Sequence, residues 1–209
     1  MTEPRAAIVA GIDIDTSLDE EIREWYLTEH APERLAVPGI ESFAQWWRVD
    51  GDAPRYVSLF EARGRDVLES GPYVELKERG DTPWSARIKR KAERILRGVY
   101  EEAAVYRAGT RAPFAAIAYT DLAPEDEGPY REWYDRGHGP ALVAVPGVVG
   151  MRRFEQAASP RHLTVILVED PAVLESPEYR AARDSAPDPG LRGRWRRLRG
   201  VYRFGAALP

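Results

Sequence analysis

The spacing of hydrophobic and polar positions along this chain changes period several times, and the whole series of changes comes round twice. From residue 6, AAIVAGIDID alternates, so that Ile8, Ala10, Ile12 and Ile14 share one face of an extended segment while Val9, Gly11 and Asp13 share the other. The pattern turns helical after Thr16 and Ser17, with Asp19, Glu20 and Glu21 as an acidic first turn, and runs to about Leu35, where VPGI breaks it. IESFAQWWRV and RYVSLFEA read as strands around the turn residues DGDAP. DVLESGPYVELKE predicts a second helix, TPWSARIKRKAERIL a further one opened by Pro83, and RGVYEEAAVY a closing strand. The order is β-α-β-β-α-β.

That order is written again from FAAIAYTDL onward. EWYLTEHAPERLAVPG at 24–39 meets EWYDRGHGPALVAVPG at 132–147 at an offset of 108, and the match holds from Asp13/Asp121 through Gly39/Gly147. VLES at 67–70 meets VLES at 173–176, with Tyr73 opposite Tyr179, at offset 106; LRGVY at 96–100 meets LRGVY at 198–202 at offset 102. Three blocks in one order identify a tandem duplication whose second copy is shorter in its loops. The predicted units are residues 1–109 and 110–209. Each reads as an α+β, ferredoxin-like split unit. Its helices cover one face of its sheet, so the other face has to be buried elsewhere, and two copies in one chain can do this by packing sheet to sheet.

Composition narrows the classes. Of 209 residues, 44% are hydrophobic and 31% charged, a globular profile. Runs such as LTVILV are too short to cross a bilayer, and the N-terminal MTEPRAAIVAGIDID lacks the basic-then-apolar pattern of a secretory signal. Cysteine is absent, which removes disulfides, thiolate metal sites and a Cys nucleophile; the expected location is cytoplasmic. A net charge of −4 argues against a nucleic-acid partner. RGRWRRLRG at 192–200 is a local exception: five arginines around a Trp either hold a phosphate or another acidic partner, or form a solvated face. No GxGxxG, GxxxxGK[ST], HExxH or GxSxG motif is present.

The candidate chemistry lies in the repeats. His30 and His138 are equivalent, and Tyr26 and Tyr134 precede them by four residues, on the same helix face. Such a His can serve as acid or base and such a Tyr can donate to a developing oxyanion; alternatively each ring braces the turn into Pro32 or Pro140. Asp13 and Asp121 follow the first strand of each copy, on the face opposite the Ile stripe, where a cavity is expected. There they could orient a His, act as base, or cap the strand end. Arg48 and Arg153 on the second strands could bind a carboxylate or phenolate. Trp46 and Trp47 point to opposite sides of their strand, so one at most can enter a cavity. His162, opposite Tyr56 in the alignment, could join Asp121 and Tyr119.

W-Y-x3-H-x-P followed by VPG, after a strand, resembles the EthD-like branch of the dimeric α/β barrel superfamily, over 7–106 and 115–206. The resemblance implies two ferredoxin-like repeats packed as an intramolecular dimeric α/β barrel, enclosing a cavity for a hydrophobic or aromatic small molecule. Members of that superfamily include polyketide cyclases, muconolactone isomerase, quinol monooxygenases and haem enzymes such as chlorite dismutase. The expected function is therefore a cofactor-free, metal-free acid/base enzyme, a cyclase, isomerase or lyase, acting on an aromatic or polyketide-like carbonyl compound. His30 or His138 would be acid/base and Tyr26 or Tyr134 would steady an enolate. The alternatives are a haem-binding oxidoreductase with His138 or His162 as axial ligand, a cofactor-independent monooxygenase, and a ligand-binding protein without turnover. The expected partner is a small molecule, not nucleic acid or membrane, bound by a monomer with an internal pseudo-dimer; a further homodimer is left open.

Overall fold

A computed structural model describes residues 5–109, 111–185 and 195–208. The chain divides into two compact units. The first takes residues up to Trp47, Pro54–Glu101 and the tail from Gly205; the second takes Arg48–Ala53 and Glu102–Phe204.

The first repeat runs β1 (Ala6–Asp13), α1 (Asp19–Trp25), a wide helical turn over Tyr26–His30, α2 (Ala31–Leu35), β2 (Ile40–Gly51), β3 (Tyr56–Ala62), α3 (Gly71–Glu78), α4 (Pro83–Lys91) and β4 (Arg94–Arg107). Its strands pair antiparallel in the order β4-β1-β3-β2. The second repeat runs β5 (Phe114–Asp121), α5 (Glu127–Trp133), a wide turn over Tyr134–His138, α6 (Gly139–Ala144), β6 (Val148–Glu155), β7 (His162–Val168), α7 (Pro177–Asp184) and β8 (Arg196–Leu208). Its order is β8-β5-β7-β6. The registers repeat: Ala6↔Ala62 recurs as Phe114↔Val168, and Ile12↔Tyr56 as Thr120↔His162. Among the described residues no helix is long and apolar enough to cross a membrane.

Strand alternation decides which side chains meet the helices. Ile8 and Ile12 of β1 join Phe43, Tyr56, Phe60 and Ala62 beneath Ile22, Trp25 and Tyr26. In the second unit Tyr130, Trp133, Tyr134 and Leu142 pack over Met151, Ile166 and Val168. Two of the repeated blocks account for each other. Gly39 and Gly147 of the VPG segments have φ of +97° and +83°, a region that favours glycine. A Cβ there would come within 2.7 Å of Val67 Cγ2 and 2.5 Å of Val173 Cγ2 respectively. The AVPG and VLES blocks are thus two sides of one close contact, made once in each unit.

One expected helix ends early. The periodicity of TPWSARIKRKAERIL carries a helix to Leu96, but the chain leaves it at Ala92, whose ψ is 128°. Arg94, Ile95 and Leu96 instead pair with Asp13, Ile12 and Gly11, because strand pairing outweighs a local helical preference.

Candidate functional site

The repeated sentence folds into a π turn inserted in a helix. The N–H of Ala31 donates to the carbonyl of Tyr26, five residues back, and the N–H of Gly139 donates to the carbonyl of Tyr134. In an α-helix, residues five apart diverge around the axis. The wider turn brings them together: Trp25 and His30 lie 4.1 Å apart between ring centroids, and Trp133 and His138 also 4.1 Å, nearly parallel. The tyrosine stands edge-on to the same imidazole, Tyr26 at 5.3 Å from His30 and Tyr134 at 4.9 Å from His138. Such π turns inside α-helices are frequent at functional sites.

The tyrosine hydroxyls reach a strand. Tyr26 Oη lies 3.0 Å from Ser58 Oγ, and Tyr134 Oη 3.2 Å from Thr164 Oγ1, at equivalent positions of β3 and β7. Burial pushes the Tyr26 pKa up to about 12, partly opposed by the Ser58 hydrogen bond, so this hydroxyl stays protonated near neutral pH.

In the first unit these groups open onto a cavity of about 280 Å³, at the small end of pockets that take organic ligands. Ile8, Ala10 and Ile12 form its floor, and Trp25, Phe60 and Tyr73 give it aromatic walls. His30 lines it, with Nδ1 buried and without a hydrogen-bond partner. Burial, then the charges of Arg34, Lys89 and Arg97, hold its pKa well below 6.5, so the imidazole is neutral and can accept a proton. Those three cations also line the cavity, with Lys77, against the carboxylates of Glu33 and Asp81. Arg97 Nη2 donates to Tyr73 Oη at 2.9 Å, and Arg34 Nη1 donates to the His30 carbonyl at 3.1 Å. The start of α4 closes one side. Glu29 accepts from Thr82 Oγ1 at 2.6 Å, Ser85 Oγ at 3.1 Å and Trp25 Nε1 at 3.2 Å. One carboxylate therefore ties α4 to the Trp that packs against His30.

The equivalent pocket of the second unit measures only 20 Å³, room for about one water. His138, Thr164, Tyr179, Arg183, Arg197 and Arg199 line it.

The other predicted site residues lie elsewhere. The cavity was expected on the face of Asp13; the one described here opens on the Ile stripe, between sheet and helices. Asp13 is fastened at the end of β1, accepting the Arg55 N–H at 2.7 Å and pairing with Arg94; Asp121 accepts from Ser159. Arg48 donates to the Ala53 carbonyl in the β2–β3 turn. Trp47 packs 6.0 Å from Tyr56, and Trp46, one residue earlier, is buried on the other face of β2. Tyr119 is buried on the face of β5 opposite Ala118 and Thr120. Arg153 and His162 belong to a buried polar cluster. Arg153 pairs with Glu155, and with Asp135 at 3.0 Å, while His162 Nδ1 lies 3.5 Å from Glu155 and its ring 4.7 Å from Tyr130. Burial alone would raise the Glu155 pKa, but the His162 imidazole beside it, hydrogen bonds from Arg131 and the charge of Arg153 hold it at about 2. Sequence reasoning passed over Arg34, Arg97, Ser58 and Glu29. For Arg97 the signal was present, since LRGVY carries it in one copy and Arg199 in the other.

Haem would need His138 or His162 beside a space for a macrocycle. His138 borders 20 Å³ and His162 is packed against Tyr130 and Glu155, so neither of these two candidate ligands fits it. Among the described residues no group of three His, Asp or Glu side chains is placed to hold a metal ion.

No protein-family model matches the chain, and no curated protein matches it. Solved structures do. An anthrone oxidase-like protein superposes with TM-score 0.70 at 14% identity, covering 99% of this chain and 93% of its own. A candidate monooxygenase from Lactobacillus acidophilus superposes with TM-score 0.62 at 9% identity, covering 98% and 96%. A chlorite dismutase variant from Candidatus Nitrospira defluvii gives 0.61 at 13%, covering 99% and 92%. At such identities the likeness is one of fold.

Proposed function

We propose that the cavity of the first repeat is a cofactor-free general-base site for an aromatic or polyketide-like carbonyl compound. One observation carries this reading: a neutral imidazole with a buried Nδ1, aromatic walls and four cations converge on a single 280 Å³ space. His30 takes a proton from an acidic C–H or O–H of the substrate. The negative charge then develops on the substrate oxygen, where Arg97 and Arg34 are available to hold it. Tyr26 and Trp25 keep the imidazole in place. The transfer converts a neutral pair into an ion pair, which the cationic walls favour on the substrate side. We read the motif-bearing π turn as the EthD-like feature of the chain, and the 4-1-3-2 strand order of each unit as its ferredoxin-like core.

Two fates of the enolate remain within this chemistry. Reprotonation at another atom gives isomerisation or cyclisation; reaction with dioxygen gives a quinone or hydroxylated product. The anthrone oxidase-like neighbour favours the second. The test is proton exchange at the acidic CH2 of anthrone in D2O under argon, followed by oxygen uptake on admitting air. Exchange above the buffer rate in the wild type, lost in His30→Ala with the fold intact, supports the base. Exchange equal in both proteins discards it, and ligand binding without exchange would point to a carrier.

A further inference from the structure

We propose that the second repeat holds a separate anion site, in which Arg197 and Arg199 bind the carboxylate or phosphate group of a small molecule. The two residues stand two apart on β8 and pair with Thr120 and Ala118 of β5, so both side chains rise on the helix-facing side. Both line the 20 Å³ pocket with Arg183, His138 and Thr164. Arg183 is engaged by Asp184 through two contacts, at 2.9 and 3.1 Å. Neither Arg197 nor Arg199 makes an ion pair among the described residues, and Arg197 Nε is buried without a hydrogen-bond partner. The nearby Asp52 accepts the backbone N–H of Arg199 at 2.7 Å. Arg197 is half-buried and Arg199 exposed, with Asp52 the nearby carboxylate on the Arg199 side; the two neighbouring guanidinium groups repel each other unless an anion lies between them.

The first repeat is built differently at these positions. There the equivalents are Ile95 and Arg97, one cation only, facing a space many times larger. The second repeat has added an arginine and given up the volume. What remains accommodates an oxygen-sized atom, with the body of the ligand outside, and a forked guanidinium pair matches the planar or tetrahedral geometry of an oxyanion. This site does not depend on the base chemistry proposed for the first repeat.

The test is thermal unfolding of the full chain in inorganic phosphate, acetate or chloride at constant ionic strength. With one oxyanion near ten times its Kd, Tm should rise by about 3–5 °C over chloride. A response to phosphate alone assigns a phosphate group; a response to acetate, a carboxylate. Arg197→Ile, which installs the first repeat's residue, should abolish the rise. In chloride that variant should melt no lower than the wild type, because the repulsion is gone. Arg199→Gln provides the same comparison if Arg197→Ile does not fold. An unchanged rise in the folded variant, or no rise in the wild type with either oxyanion, overturns the proposal.

Discussion

The two π turns are nearly superimposable in chemistry, and the spaces beside them differ by more than tenfold, about 280 against 20 Å³. Each has a Trp ring against its His at 4.1 Å, a Tyr edge-on to that His, and a hydroxyl on the adjacent strand within hydrogen-bond reach of the Tyr hydroxyl. The difference is made by residues outside the repeated sentence. Position 95 is Ile where 197 is Arg, and Gly80, Thr82, Ser85 and Lys89 from the α3–α4 segment help to line the first cavity. A duplicated motif thus preserves local backbone geometry, while the occupancy of the neighbouring volume is free to drift.

Removing each imidazole in turn should separate the two repeats most. His30→Ala should lower the rate of substrate proton exchange by about 10²–10⁴-fold, the usual contribution of a positioned base. His138→Ala should leave that rate within about threefold while lowering Tm, since a buried ring stacked on Trp133 is lost. If both substitutions reduced exchange equally, the large cavity would not be what distinguishes the working repeat.

The next effect should be equal in the two units. Gly39→Ala and Gly147→Ala each force a Cβ into a left-handed backbone and against a valine methyl, at 2.7 and 2.5 Å. Each should cost about 2 kcal/mol in urea unfolding, combining backbone strain with overpacking. A cost confined to one unit would show that the AVPG–VLES contact is not shared. Smaller again is Arg97→Lys, which keeps a charge but loses the fork toward the cavity and Tyr73. It should lower kcat/KM by about tenfold with little change in stability, whereas Arg199→Lys should leave turnover alone.

Much of the fold was readable because strand alternation and turn residues act locally. The Ile8–Ile12 stripe and the VPG breaks fall where the pattern put them. The duplication was visible as text, and the contact between Gly39 and Val67 explains why those two blocks were retained together. The site was read less well, for identifiable reasons. Tyr26 and His30 were placed by α-helical spacing, but the pairing that matters most, Trp25 over His30, needs a π turn, whose single displaced hydrogen bond has no compositional signature. The cavity was looked for on the Asp13 face, since nothing in a strand's alternation tells which of two apolar faces is incompletely filled. Asp13 itself is engaged at the strand end by Arg94, eighty-one residues away and beyond any local rule. Arg97 sat inside a block recognised only as a repeat.

The smallest and most specific effect comes from the protonation of His30. Its folded pKa lies well below 6.5 through burial first and then the charge of Arg34, so the unfolded chain takes up this proton before the folded chain does as pH falls. Above the unfolded value the group contributes nothing to the pH dependence. Below it, stability declines by at most about 1.4 kcal/mol per pH unit until the folded pKa is reached. Urea unfolding of wild type and His30→Gln between pH 8 and 5 should therefore run parallel above about 6.5 and diverge below it, the variant being the flatter. Activity should follow the opposite convention for a base: kcat/KM stays level as pH is lowered through 6.5, where an ordinary histidine base would lose half its active form. Loss of rate centred at 6.5, without the divergence in stability, would mean that the imidazole is solvated during turnover and that the first cavity is more open in use than the closed Trp25–Glu29–Ser85 arrangement implies.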